Sequence, residues 1–192
     1  MTAPIPERAQ AVVIGGGVSG CSVAYHLAKR GWTDIVLLER RKLTSGTTWH
    51  AAGLVGQLRA SANMTRLAKY SADLFGLLEA ETGLATGFRR VGSISVALTD
   101  DRLIELRRQA AMARAFDVEA HEIGVADLKA LYPHIETSDV KGAVHLPQDG
   151  QCDPGNVALA LAAGARAKGA RIVEDCAVVG VDVVGGAVTG LR

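Results

Sequence analysis

The sequence predicts an α/β fold built on a parallel β-α-β unit, and three observations near the amino terminus predict it. Ala11-Val12-Val13-Ile14 is a continuous apolar run that ends in Gly15-Gly16-Gly17. Val18 to Arg30 follows, with Val23 and Leu27 at helical spacing, Lys29 and Arg30 in the last turn and Gly31 just beyond. Asp34 to Leu38 is a second apolar run, closed by Glu39. Short continuous apolar runs read as strands buried on both faces, the parallel-sheet kind. A basic last turn followed by glycine reads as a helix end.

Length and composition bound the rest. The 192 residues make one domain or two small interleaved ones. Hydrophobic residues are 48% and charged residues 21%, enough for a core and too apolar for wholesale disorder. The net charge is +1, from 21 basic and 20 acidic side chains, so there is no electrostatic footprint for nucleic acid. Aromatic residues are 4%, which leaves few stacking platforms for single strands. No apolar run reaches the ~18 residues of a membrane span. Met1 to Gln10 is polar, with Pro4, Pro6, Glu7 and Arg8, and has the layout of neither a signal nor a transit peptide. The three cysteines (Cys21, Cys152, Cys176) are widely spaced and odd in number, and the histidines are scattered, none at i, i+4. Neither a disulfide framework nor a metal site is expected, and the expected setting is a reducing, cytoplasmic one.

The corner between the first strand and the helix carries chemistry. Gly15, Gly17 and Gly20 fit Gly-x-Gly-x-x-Gly. The first glycine allows the tight exit from the strand, the second a close approach of the backbone to a pyrophosphate, and the third close helix–strand packing. The helix start offers unpaired N–H groups and a positive dipole end to phosphates. Glu39 lies 19 residues after Gly20, at the end of the second strand, where an acid accepts hydrogen bonds from a ribose diol. The pattern predicts a dinucleotide site for an unphosphorylated ribose, NAD or FAD, and spacing alone does not choose between them. Cys21, beside the third glycine, reads as a small packing hydrophobe.

Arg40 to Gly56 follows as a loop of small residues with hydroxyls at Thr44, Ser45, Thr47 and Thr48. Such a loop can approach a phosphate or a flat ring and donate hydrogen bonds to it. Here the sequence resembles a family. Val13-Ile14-Gly15-Gly16-Gly17, Ala24-Tyr25-His26-Leu27-Ala28, Val36-Leu37-Leu38-Glu39 and above all Ser45-Gly46-Thr47-Thr48-Trp49-His50-Ala51-Ala52-Gly53 are similar to FAD-dependent amine oxidoreductases of the sarcosine dehydrogenase and dimethylglycine dehydrogenase type. Glu81-Thr82-Gly83, Gly92-Ser93-Ile94, Asp149-Gly150-Gln151-Cys152-Asp153-Pro154 and Ala160 to Arg166 continue the likeness.

The resemblance implies an FAD-binding Rossmann-like domain of the glutathione-reductase type, with an inserted α+β segment of a substrate domain. It divides the chain into 1–84 (first part of the FAD domain), 85–147 (first part of the substrate domain) and 148–192 (return to the FAD domain), and makes the whole resemble a C-terminally truncated amino-terminal portion of a longer enzyme. It implies cofactor contacts at Gly15, Gly17, Val18, Ser19, Gly20, Glu39, Arg40, Ser45, Thr47, Thr48, His50 and Gly53, and at Val178, although a valine in a strand is ordinary core in any fold. His50 is the position that carries the flavin covalently in that family. A neutral imidazole is a nucleophile near pH 7, which makes such a bond chemically reasonable. Trp49 serves equally well as a packing residue or a ring contact.

The activity implied is oxidative N-demethylation of a small methylated amino acid, with tetrahydrofolate as a partner of the full-length enzyme. No catalytic base is identifiable, and the residues that would hold the amine's carboxylate are expected beyond Arg192. Two alternatives stand beside this: an FAD-dependent oxidase of another amine, and a non-catalytic nucleotide-binding fragment or subunit. An NAD-dependent dehydrogenase leaves the Ser45–Gly53 loop without a role.

Pattern predicts further elements. Asn63 to Thr82 reads as a helix with Met64, Leu67, Leu74, Leu77 and Leu78 on its apolar stripe. Phe88 to Leu98 reads as a strand, Asp100 or Asp101 as the cap of a helix to about Phe116, and Val125 to Tyr132 as a helix stopped by Pro133. Arg107, Arg108 and Arg114 lie along a solvated helical face. His121, His134 and His145 read as surface or hydrogen-bonded residues. Val140 to Leu146 reads as a strand, and Asp153-Pro154 as a helix start. Arg171 to Val173, Ala177 to Val183 and Ala187 to Leu191 read as strands, with a hairpin turn at Gly185-Gly186.

Overall fold

In the computed structural model, which describes residues 5–192, the elements follow in the order Ala11–Ile14 (β1), Val18–Lys29 (α1), Ile35–Leu38 (β2), a 3₁₀ turn at Thr48–His50, Leu54–Val55 (β3), Ala62–Thr82 (α2), Arg89–Arg90 (β4), Ser93–Ala97 (β5), Asp100–Ala115 (α3), His121–Ile123 (β6), Val125–Leu131 (α4), Gly142–Leu146 (β7), Gly150–Gln151 (β8), Pro154–Ala167 (α5), Arg171–Val173 (β9), Val181–Val184 (β10) and Ala187–Leu191 (β11). Of the polar amino-terminal stretch, Met1–Pro4 lie outside the described residues.

The chain divides into two compact units. One is made of residues up to Gly53, Leu77–Gly87 and Asp153–Arg192; the other of Leu54–Gly76 and Phe88–Cys152. This differs from the division expected at 84 and 147. Residues 54–76 belong with the second unit because β3 pairs antiparallel with β8 and the Gln57 N–H donates to buried Asp149 Oδ1 at 2.8 Å. The return to the first unit comes at Asp153, where the helix cap begins.

In the first unit β1, β2 and β9 form a parallel sheet in the order β1-β2-β9, with Val12 opposite Val36 and Leu37 opposite Ile172. β2 is central and every residue in it is buried. β1 is not, against the expectation of a doubly buried strand: Val12 is 40% and Ile14 55% exposed. Among the described residues β1 is the edge strand and pairs with β2 alone.

Helix α1 packs on α5. Gly164 sits where a Cβ would come within 2.8 Å of the Tyr25 ring, so glycine sets how closely these helices approach. The Tyr25 hydroxyl donates to Glu81 Oε2 at 2.6 Å, and Lys168 Nζ lies 2.9 Å from Glu81 Oε1, tying α1, α2 and the end of α5 together. Asp153 caps α5 as expected, accepting the Asn156 N–H at 2.9 Å, with Pro154 in the first turn. β10 and β11 form the expected hairpin, with positive φ at Gly185 and Gly186. Residues 177–180 lie outside β10, so Val178 is not in a strand; it packs on Val36, Leu38 and Val173.

The second unit is α+β. β5, β7 and β6 form an antiparallel sheet covered by α3, and Leu106, Ala110, Ala113, Val144 and Leu146 are among its core residues. The single strand expected over Phe88–Leu98 is broken into β4 and β5 because Gly92 adopts a φ of 75°. Thr99, not Asp100 or Asp101, caps α3: its hydroxyl accepts the Arg102 N–H at 3.2 Å, which leaves both acids inside the first turn, where they favour the helix dipole. The stripe expected on α2 is only partly realised. Leu74 and Leu78 are buried, whereas Met64, Leu67 and Leu77 are exposed. Among the described residues no helix is long and apolar enough to cross a membrane.

Candidate nucleotide-binding site

The candidate site lies within the first unit, at the carboxyl ends of β1 and β2. Ligands of open parallel sheets bind at this end. Gly15 leaves β1 with a φ of 107°, a conformation that disfavours a side chain. A Cβ on Gly20 would stand 1.9 Å from the Gly15 carbonyl oxygen, so only glycine lets α1 start this close to the strand. A Cβ on Gly17 would stand 3.0 Å from Thr48 Oγ1. The first and third glycines therefore have the conformational and packing roles that the spacing assigns, and at the second a side chain would crowd the Thr48 hydroxyl.

The middle glycine is the one the motif does not single out. A Cβ on Gly16 would meet Leu43 Cδ2 at 2.6 Å and Glu39 Cβ at 2.9 Å. The Gly16 N–H donates to Glu39 Oε2 at 2.6 Å, and Glu39 Oε1 accepts the Arg41 N–H at 2.9 Å. Glu39, 9% exposed, thus holds the glycine turn as well as marking the end of β2. Two backbone donors lock its carboxylate in place. Each oxygen retains acceptor capacity, so a ribose diol remains a suitable further partner.

The loop after β2 folds back onto the turn. The Thr44 N–H donates to the Gly16 carbonyl at 3.0 Å, with Thr44 at a φ of 69°. Thr48, 6% exposed, accepts the Val18 N–H on Oγ1 at 3.0 Å. This corrects one expectation: the Val18 N–H at the helix start is already partnered by a protein hydroxyl. The hydroxyl supplies the cap that Gly17 lacks. With no acid in its first turn, the start of α1 keeps its positive dipole end.

The other predicted residues fall around this frame. Ser19, Arg40, Ser45, Thr47 and His50 are exposed, while Gly53 is buried with a φ of 75°. His50 closes the 3₁₀ turn, its N–H bonded to the Thr47 carbonyl at 3.2 Å and its ring 3.8 Å from that of Trp49. Trp49 is therefore a neighbour of the His50 ring. Cys21 is fully buried beneath the turn, and burial pushes its thiol up to about 11, so it packs rather than reacts. Arg166 opposes that rise and Glu39 adds to it. Val178 packs on the apolar cluster beside Leu38.

The glycine turn, the Glu39 carboxylate and the hydroxyl loop lie together in the first unit, and the residues present fit FAD. Residues 10–192 match the family of FAD dependent oxidoreductases designated DAO, and the chain belongs to that family. It is 44% identical over 181 residues to the mitochondrial sarcosine dehydrogenase of Mus musculus, covering 94% of this chain and 20% of that protein. It is 41% identical to the mitochondrial pyruvate dehydrogenase phosphatase regulatory subunit of Mus musculus, covering 98% of this chain and 21% of the other. With the mitochondrial dimethylglycine dehydrogenase of Homo sapiens the identity is 41%, over 86% of this chain and 19% of that one. The chain thus spans about a fifth of the length of these curated relatives. Among solved structures, L-proline dehydrogenase from P. horikoshii superposes with a TM-score of 0.91 at 28% identity, over 97% of this chain and 49% of that one.

Proposed function

We propose that this chain is the FAD-binding part of an amine oxidoreductase that removes an N-methyl group from a small methylated amino acid of the sarcosine or dimethylglycine kind. The observation that carries the proposal is the cradle, in which Gly15–Gly20, Glu39 and the Thr44–His50 loop are fixed by hydrogen bonds within one unit. Identity of 41–44% to enzymes named for those substrates supports the substrate class.

FAD, when bound, supplies the oxidising centre that takes a hydride from the N-methyl carbon. The chain's own part is binding and orientation. The turn and the dipole of α1 take the pyrophosphate, Glu39 takes the ribose, and Ser45 and Thr47 donate to the phosphate and ring side. Exposed His50 is the residue we assign to covalent attachment, and Arg40, Ser19 and Val178 are lesser contacts. Passing the released one-carbon unit to tetrahydrofolate belongs to the same proposal and involves no residue identified here. A reducing, cytoplasmic setting is also part of it, supported by the odd number and wide spacing of the cysteines.

A second reading, a nucleotide-binding subunit without oxidase chemistry, is favoured by the likeness to a phosphatase regulatory subunit. Intact mass of this chain under denaturing conditions, and anaerobic addition of sarcosine or dimethylglycine to a native sample of the whole oxidoreductase of which we propose it is part, separate the two. The proposal expects 20.0 kDa plus one FAD, loss of the adduct in His50→Ala, and bleaching of the flavin absorbance by the amine. A bare polypeptide mass sinks the covalent assignment. Bound flavin that no amine bleaches favours the second reading.

A further inference from the structure

We propose that Glu174 is a positioning residue for the FAD-binding loop, acting through the Leu43 amide rather than by touching the cofactor. The inference rests on the FAD reading given above. Glu174 directly follows β9, and its Oε1 accepts the Leu43 N–H at 2.7 Å across 131 residues of sequence. Around it the chain leaving β2 is stitched to the chain leaving β9. The Glu39 N–H donates to the Val173 carbonyl at 2.9 Å, the Cys176 N–H to the Glu39 carbonyl at 2.9 Å, and the Asp175 N–H to the Arg41 carbonyl at 3.0 Å. Lys42 Nζ lies 2.7 Å from Asp175 Oδ2 and 3.8 Å from Glu174 Oε2.

Leu43 is where the loop changes course. Before it, the backbone runs beside Val173–Cys176. After it, Thr44 takes its left-handed φ and lays its N–H on the Gly16 carbonyl. The Leu43 side chain is buried against Gly16. In a threonine, whose side chain is branched at Cβ, a left-handed φ persists only where the surroundings impose it. Two bonds flank that strained residue: Leu43 N–H to Glu174 and Thr44 N–H to Gly16. The first ends on a side-chain oxygen that Glu174 brings from the end of β9. Without Glu174 the Leu43 N–H loses its acceptor and the strained turn loses an anchor to β9. Thr48 takes its place on the start of α1 downstream of that anchor, and His50 follows in the same 3₁₀ turn. The carboxyl end of β9 therefore sets the loop in position ahead of any cofactor.

The test uses the 192-residue chain, with hydrogen exchange of peptides covering 41–48 and equilibrium titration with FAD followed by flavin fluorescence. Glu174→Ala is expected to speed exchange in that segment and to weaken FAD binding about tenfold. Glu174→Gln, whose amide oxygen also accepts the Leu43 N–H, is expected to restore both. Glu174→Ala without effect on either readout overturns the proposal. So does Glu174→Gln behaving like Glu174→Ala, because the charge toward Lys42 would then be what matters. Should the alanine variant not fold, Glu174→Asp, one methylene short of Leu43, is read in the same assays with the same expectation. A parent chain that binds no FAD overturns the functional reading, and exchange at 41–48 then decides the clamp alone.

Discussion

At the scale of single residues, the site is governed by where a β-carbon cannot be. The Gly15 carbonyl lies so near Gly20 that the smallest side chain meets backbone, which cannot rotate away. Gly20→Ala is therefore expected to cost about 3 kcal/mol or more, at the upper end of overpacking, and a urea melt of the variant beside the parent checks it. A loss within about 0.5 kcal/mol would mean that α1 shifts freely along the sheet. Gly16 is also confined, by the Leu43 and Glu39 side chains rather than by backbone. The Gly-x-Gly-x-x-Gly pattern made Gly15, Gly17 and Gly20 legible. Gly16 was not, because its nearest constraint comes from Leu43, a residue 27 positions away that the pattern does not contain.

At the scale of elements, the first unit is joined by one polar cluster between helices. Glu81 of α2 accepts the Tyr25 hydroxyl of α1 and faces Lys168 at the end of α5, with Lys29 at 4.0 Å. The bond from Tyr25 comes first, and with Lys168 it holds the Glu81 carboxyl below its ordinary value of 4.5. A carboxylate with a lowered folded pKa adds stability that is fully present above its ordinary pKa and disappears as pH falls through the folded value. Glu81→Gln is thus expected to melt below the parent at neutral pH. The difference should shrink as pH drops under 4.5 and close once Glu81 itself is protonated in the fold. Parallel thermal melts from pH 7 to pH 3 check this, and a gap that stays constant with pH would show that the charge is not what matters. Helix periodicity located α2 and its partners well. It could not show that Tyr25, Glu81 and Lys168 meet, since no spacing rule links three separate helices.

At the scale of the whole molecule, the chain passes between its two units four times, where the division at 84 and 147 implied two. The second unit is knotted by Asp149, a carboxylate 5% exposed. It takes the Gln57 N–H at 2.8 Å and the Ser93 hydroxyl at 2.6 Å, drawing together segments 56 and 92 residues away. Asp149→Ala would leave both donors without a buried acceptor, and is expected to cost about 2–4 kcal/mol. Denaturant unfolding reads the loss. Faster amide exchange around Gln57 and Ser93 should accompany it, and unchanged exchange there would count against the knot.

The sequence by itself determined the β-α-β unit, the glycine turn, the acid at Glu39, the Asp153 cap and the family, because each is written in neighbouring residues or in one run of chain. Tertiary structure alone decided that residues 54–76 join the second unit, that β1 keeps an exposed face, that Thr48 takes the Val18 N–H, and that Glu174 meets Leu43. The physical reason is the same in all four. Each depends on which distant backbone arrives beside a given group, and local propensity and apolar periodicity carry no record of such arrivals.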